Sequence, residues 1–168
     1  MMKIGIISDT HDNVWRLDEA IPYLRTTDLV LHCGDLISPF MIHRLGKGLG
    51  NIPIHLVWGN NDGDRLTVAK IAQSYSNFTL HGEFMQLEKY GFRIAMNHYP
   101  EIARQLVLSG NYDLVCYGHD HTAFQESIGE TVLLNPGELM GLNGRSTLAL
   151  FDSEILRAEL VEVWKEKN

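Results

Sequence analysis

Residues 4–11 pass from an apolar segment, Ile4, Gly5, Ile6 and Ile7, straight into Ser8, Asp9, Thr10 and His11. The apolar part reads as a short strand buried on both faces. A buried strand ends on a carboxylate and an imidazole only where something compensates them. Asp9 and His11 lie two residues apart, so extended backbone sends both side chains off the same side. A carboxylate and an imidazole aimed at one point can begin a metal site, although a single Asp-x-His is more often a helix cap beside a surface histidine. Here the arrangement recurs four more times. Residues 28–33 run into Gly34 and Asp35, residues 53–58 into Gly59, Asn60, Asn61 and Asp62, residues 92–96 into Asn97 and His98, and residues 112–117 into Gly118, His119, Asp120 and His121.

At 168 residues the chain is expected to form a single domain, residues 1–168, around one core. A net charge of -7 disfavours a broad surface that tracks nucleic-acid phosphates, yet leaves room for a small anionic substrate, because local charge can oppose the global sign. No apolar run approaches the roughly 20 residues that span a bilayer, and residues 1–7 turn polar too soon for a secretory signal. The expected location is therefore cytoplasmic, with no membrane and no nucleic-acid partner. Cys33 and Cys116 sit inside apolar runs without Cys-x-x-Cys spacing, which predicts buried reduced thiols.

In chain order, Asp12 or Asn13 caps a helix carried by Val14, Leu17, Ile21 and Leu24, with Pro22 as a kink or an end. Pro39 opens a second helix to about Leu45, which Gly46, Gly48 and Gly50 are expected to terminate. Residues 64–75 read as a third helix with Leu66, Ala69 and Ile71 on its apolar side. Residues 83–88 and 92–96 form a hairpin around Lys89, Tyr90 and Gly91. Residues 100–108 form a fourth helix with Ile102, Ala103 and Leu106 inward. Short strands at 123–128 and 131–134 follow, then an Asn135-Pro136-Gly137 turn and a closing hairpin at 147–151 and 155–164. A βαβα first half and a hairpin-rich second half predict two sheets packed face to face with helices outside.

Ligands of open α/β sheets bind beyond the carboxyl ends of strands. Two carboxylates, one amide oxygen and four imidazoles delivered to one edge would hold two divalent ions if one carboxylate bridges them. Gly34, Gly59 and Gly118 would let the backbone turn or come close there. The ordered series Asp9-x-His11, Gly34-Asp35, Gly59-Asn60-x-Asp62, His98 and Gly118-His119-x-His121 resembles the calcineurin-like metallophosphoesterase superfamily. Within it, the chain is similar to the small bacterial and archaeal phosphodiesterases of the YfcE type, whose compact fold the retromer subunit Vps29 shares. The Asn135-Pro136-Gly137 turn matches the same subgroup.

The resemblance implies an α/β, four-layer αββα sandwich of two mixed β-sheets flanked by helices. It implies one metal ion on Asp9, His11, Asp35 and His121 and another on Asp35, Asn60, His98 and His119. His81 competes with His98 for its place, since the family often has His-Gly there; His98 is preferred because it ends a strand. Tyr99 stands where a glycine is usual, which predicts a stiffer or more closed loop. His32, His43 and His55 are expected to be structural or at the surface. The cofactors are expected to be two divalent metal ions, manganese foremost, with nickel, iron or zinc as alternatives; nitrogen and oxygen ligands without thiolate disfavour copper(I).

The expected reaction is hydrolysis of a small phosphodiester by in-line attack of a metal-bridging hydroxide. Asn61 occupies the place where many relatives carry a histidine that protonates the leaving group. An amide can orient a phosphoryl oxygen but cannot act as a general acid near neutral pH, so acidic leaving groups should react best. Asp62 either orients a histidine behind the ligands or caps the helix before Arg65. Arg145 is equally a phosphate contact or a surface charge. The alternative to an enzyme is a Vps29-like scaffold for protein contacts, and retention of the whole ligand series favours the enzyme. Whether copies of the chain form a homo-oligomer is left open by the sequence.

Overall fold

The structure is a computed structural model that describes residues 2–166. Its first half runs β1 (Lys3–Ile7), α1 (Val14–Leu24), β2 (Leu29–His32), α2 (Phe40–Leu49), β3 (Ile54–Leu56), α3 (Arg65–Ala72) and β4 (Phe78–Leu80). Its second half runs β5 (Phe84–Lys89), β6 (Phe92–Asn97), α4 (Pro100–Leu108), β7 (Leu114–Cys116), β8 (Phe124–Ile128), β9 (Thr131–Asn135), β10 (Arg145–Asp152) and β11 (Arg157–Lys165).

Two mixed sheets result. One has the order β11-β10-β1-β2-β3-β4, with β1 to β4 mutually parallel and β10 antiparallel to β1. The other has the order β5-β6-β7-β9-β8, with β6, β7 and β9 parallel and an antiparallel strand at each edge. Strands buried on both faces need apolar side chains throughout, and β1 meets that need with Ile4 and Ile6 on one side and Ile7 on the other. Ile4 and Ile6 join Leu31, Cys33, Ile94, Met96, Leu114 and Cys116 in the core between the sheets. Ile7, Val30 and Leu148 pack under α1, α2 and α3, while Ala95, Val115 and Leu133 pack under α4. These three apolar clusters separate four layers, helices–sheet–sheet–helix, as expected. Cys33 and Cys116 are both buried free thiols.

Several local expectations give way to packing. α2 does not stop near Leu45 but continues through Gly46 and Gly48 to Leu49, ending at Gly50 with φ 62°. A methyl group on Gly46 would lie 2.6 Å from the Tyr75 ring, and one on Gly48 would lie 2.4 Å from Ile21. Close helix packing, not termination, is what those two glycines serve. α1 likewise runs past Pro22 to Leu24, with Asn13 as its cap accepting the Arg16 N–H. Asp12 instead accepts the backbone N–H and the hydroxyl of Ser38, tying the loop after β1 to the loop after β2. On α3 the buried residues are Val68 and Ala72, and Leu66 is 67% exposed; on α4 they are Ala103 and Val107, with Ile102 49% exposed. β4 was not anticipated: Phe78, Thr79 and Leu80 form a half-buried edge strand outside any apolar run of the kind that marks the equally short β3 and β7. Among the described residues no helix is long and apolar enough to cross a membrane.

Candidate metal centre

All five polar strand ends lie where the parallel strands finish. Asp9 and His11 follow β1, Asp35 follows β2, Asn60 follows β3, His98 follows β6, and His119 and His121 follow β7. The structure brings all seven together. His11 Nε2 lies 3.4 Å from Asp35 Oδ2 and 3.7 Å from Asp9 Oδ1. His121 Nε2 lies 3.2 Å from Asp9 Oδ1, and His98 Nε2 lies 3.5 Å from Asp35 Oδ2. Asn60 Oδ1 is 3.0 Å from His98 Nε2 and 2.8 Å from His119 Nδ1. Asp35 Oδ2 thus stands between the two groups of histidines. Asp9, His11 and His121 each bring one ligand atom to within 4.8 Å of the others, and so do Asp9, Asp35 and His98.

Holding so many polar groups at one edge strains the backbone. Asp9, His11, Asp35, His119 and His121 have φ between 39° and 74°, a region that side chains other than glycine rarely occupy. The neighbouring glycines permit the crowding in different ways. Gly34 has φ 102° and so needs to be glycine for its conformation as well as its space. Gly59 and Gly118 are needed for space alone, since an added methyl carbon would fall 2.1 Å from Asp35 Oδ1 or 1.9 Å from Ser8 Oγ. Buried polar contacts keep the loops in place. Asp9 N–H donates to Gly34 O and His11 N–H to Asp35 O. His32 is fully buried; its Nδ1 accepts the Gly34 N–H, so its Nε2–H donates to the Thr10 hydroxyl. Burial pushes the His32 imidazole down to about 4, which keeps it neutral in that role.

The two residues expected to act beside the ligands are also at the site. Asn61 donates its side-chain amide to Asp35 Oδ2 (2.7 Å) and its backbone N–H to Asp35 Oδ1 (2.8 Å). Asp62 is buried and accepts backbone N–H groups from Asp35, Ile37 and Gly59. Its carboxylate therefore ties the Asp35 loop to the Asn60 loop, while capping of α3 falls to Asp64, which accepts the Thr67 N–H. Arg65 braces the same loop by donating to the Gly59 and Asp62 carbonyls. Tyr99 sets its ring edge-on to His98 and His119, at 5.3 and 5.2 Å between ring centres.

Hydrogen-bond logic tests whether these residues suit a cation. A carbonyl only accepts, so His98 must donate Nδ1–H to Cys33 O at 2.8 Å. Its Nε2 then faces Asn60 Oδ1 and Asp35 Oδ2, both acceptors. Asp9 Oδ1 and His11 Nε2 are buried without an aligned hydrogen-bond partner among the described residues. Acceptor atoms that converge in a buried place are costly unless a positive charge joins them. The titration of the groups points the same way. Burial alone would raise the Asp9 carboxyl, but the approach of His11 and His121 outweighs it; Asp35 behaves alike, with His11, His98 and Asn61 outweighing its burial. Both stay well below the usual carboxylate range. Asp35 and then Asp9 push His11 up to about 9; His121 is raised by Asp9 first, and His98 is raised because Asp35 more than offsets burial. The donor set fits divalent ions held by oxygen and imidazole.

Glu138 was missed at the sequence level. It is 2% exposed and places Oε2 2.7 Å from His121 Nδ1. The strand-end rule applied once more would have found it, since β9 is parallel to β7 and its end, Asn135, leads through Pro136 and Gly137 to Glu138. Arg145 is exposed at the start of β10. A cavity of about 710 Å³, lined by residues that include Lys3, Thr27, Phe151, Arg157 and Leu160, lies elsewhere and shares no residue with the centre.

Comparison with known proteins agrees with this geometry. Residues 2–154 match the model of the calcineurin-like phosphoesterase superfamily domain. A phosphodiesterase of Methanocaldococcus jannaschii is 33% identical over 160 residues, covering 91% of this chain and 94% of that protein. A solved structure of an archaeal phosphodiesterase superposes with a TM-score of 0.88 at 31% identity, over 96% of this chain and 99% of the other. Vps29 of Entamoeba histolytica, solved as a zinc complex, superposes with a TM-score of 0.65 at 17% identity, over 96% and 99% of the two chains, a likeness of fold.

Proposed function

This chain belongs to the calcineurin-like phosphoesterase superfamily, and from that premise we propose that it is a phosphodiesterase working with two divalent cations. Asp9, His11, Asp35 and His121 hold one, and Asp35, Asn60, His98 and His119 hold the other. The observation that carries this reading is the convergence of Asp9 Oδ1, Asp35 Oδ2 and the Nε2 atoms of His11, His98 and His121, among which Asp9 Oδ1 and His11 Nε2 are buried without an aligned hydrogen-bond partner. When bound, the cations supply a water acidified toward neutrality and a clamp on the phosphoryl oxygens. Asp35, shared by both halves, fixes their spacing.

Asn61 keeps Asp35 in register through its two hydrogen bonds and has no proton to give near neutral pH. The departing alcohol therefore receives no proton from this position, and diesters of acidic, aryl-like alcohols react best. Asp62, with three backbone N–H groups in its grip, holds the loops and does not touch the reacting atoms. The test is hydrolysis of bis(p-nitrophenyl) phosphate by chelator-stripped protein with Mn²⁺, Ni²⁺, Zn²⁺ or Mg²⁺ restored singly. Turnover that returns with metal and exceeds that on p-nitrophenyl phosphate is expected. Uptake of two ions without turnover on any diester would instead favour a scaffold of the Vps29 kind.

A further inference from the structure

We propose that Glu138 is a positioning residue that sets the ring state of His121 and thereby the strength of one half of the metal centre; the role rests on the metal-centre reading above. Glu138 is held from both sides. Its carbonyl accepts the Thr147 N–H, and the next two residues donate to the ligand loop, Leu139 N–H to Ser8 O and Met140 N–H to Asp9 O. The side chain has no freedom to leave for solvent. A carboxylate buried to this degree needs a partner, and among the described residues its one ion-pair partner is His121. Oε1 is occupied by the Asn143 N–H at 2.5 Å. Oε2 comes within 2.7 Å of His121 Nδ1, short of the alignment of a full hydrogen bond.

Both nitrogens of His121 face a carboxylate, Nδ1 that of Glu138 and Nε2 that of Asp9; once a cation takes the Nε2 lone pair, the one ring proton belongs on Nδ1, against Glu138. His98 reaches the same ring state through a neutral carbonyl, Cys33 O. The difference is the extra negative charge behind His121, which makes its nitrogen a stronger donor to a dication. Glutamine cannot replace Glu138 in this arrangement, because one amide oxygen cannot serve both Asn143 N–H and His121 Nδ1–H.

The experiment is a calorimetric titration of the full chain with Mn²⁺, in wild type, Glu138→Gln, His121→Ala and the double variant. Loss of outer partners of metal-bound histidines typically costs roughly 10- to 100-fold in affinity. A loss of that size for one of the two ions is expected in Glu138→Gln, with no further loss when the same change is made in the His121→Ala background. An equal loss in both backgrounds, or none in either, overturns the proposal. Should a variant fail to fold, nitrogen-15 spectra of Zn²⁺-loaded wild type decide it. A proton on Nδ1 of His121 is expected, and a proton on Nε2 overturns it. Wild type that takes up no Mn²⁺ overturns both readings, whereas uptake without diester hydrolysis removes only the proposed reaction.

Discussion

His11, His98 and His121 follow parallel strands in the middle of their sheets and have raised affinities for protons, His11 up to about 9. His55 and His81 lie at a sheet margin, on β3 and just after β4, and have lowered ones. Burial first, then the neighbouring His81 and Lys89, pushes His55 down to about 4. The two rings stack at 5.0 Å with His55 Nδ1 2.7 Å from His81 Nε2. Among the described residues neither pairs with a carboxylate, whereas the first group surrounds Asp9 and Asp35. Imidazoles near one another do not make a place for a cation. A carboxylate at their centre does. The contrast also corrects the reason for setting His81 aside, since His81 too ends a strand; what separates it from His98 is the margin position of β4 and the absence of an acid within reach.

The sharpest way to break that contrast is to remove the shared charge. Asp35→Asn should abolish uptake of both ions in calorimetry and reduce diester hydrolysis to background with the fold kept, while His81→Asn should change neither. Loss of metal in His81→Asn would mean that the margin pair takes part after all. A second variant sharpens the role of the ligand edge itself. Asn61→His restores a proton donor at the leaving-group side, and general acids are typically worth about 10²-fold or more. Hydrolysis of alkyl diesters should rise relative to aryl diesters by about that factor, and an unchanged ratio would show that leaving-group protonation does not control the rate.

The smallest effect comes from the margin pair. His55 has a folded affinity of about 4 against 6.5 unfolded, so above pH 6.5 its contribution to stability is full. As pH falls from 6.5 toward 4, the unfolded chain binds a proton that the folded chain refuses, and stability declines. For a partly exposed ring the loss should be roughly 1–2 kcal/mol. Chemical denaturation from pH 7.5 to 4 should therefore show a shallower slope in His55→Gln than in wild type, and identical slopes would place the titration elsewhere, His32 being the other histidine lowered to about 4.

How much of this was legible depended on the range of the interaction. An apolar run that stops on Asp, Asn or His is a local pattern, and all seven residues that the structure brings together at one edge were read from it, as was the two-sheet fold. Gly46 and Gly48 misled because a glycine read along the chain means a helix end, while here each makes room for a side chain far off in sequence, Tyr75 and Ile21. Asp62 gave two local readings, a helix cap or a histidine partner, and its carboxylate instead serves amides near Gly34 and Gly59. β4 was invisible because Phe78-Thr79-Leu80, at the sheet edge, lies in no apolar run of the kind that marks the equally short β3 and β7.

What the sequence by itself determined is the succession of strands other than β4 and the chemistry at their ends, because both are written in contiguous residues. What only the tertiary structure decided is which strand ends meet. Parallel pairing of β1, β2 and β3 and the face-to-face packing of the second sheet bring Asp9, Asp35, His98 and His121 together. The same pairing sends β4 and His81 to the margin and brings β9, with Glu138 beyond its end, up beside β7. Proximity between residues a hundred positions apart is a property of packing, and no local pattern encodes it.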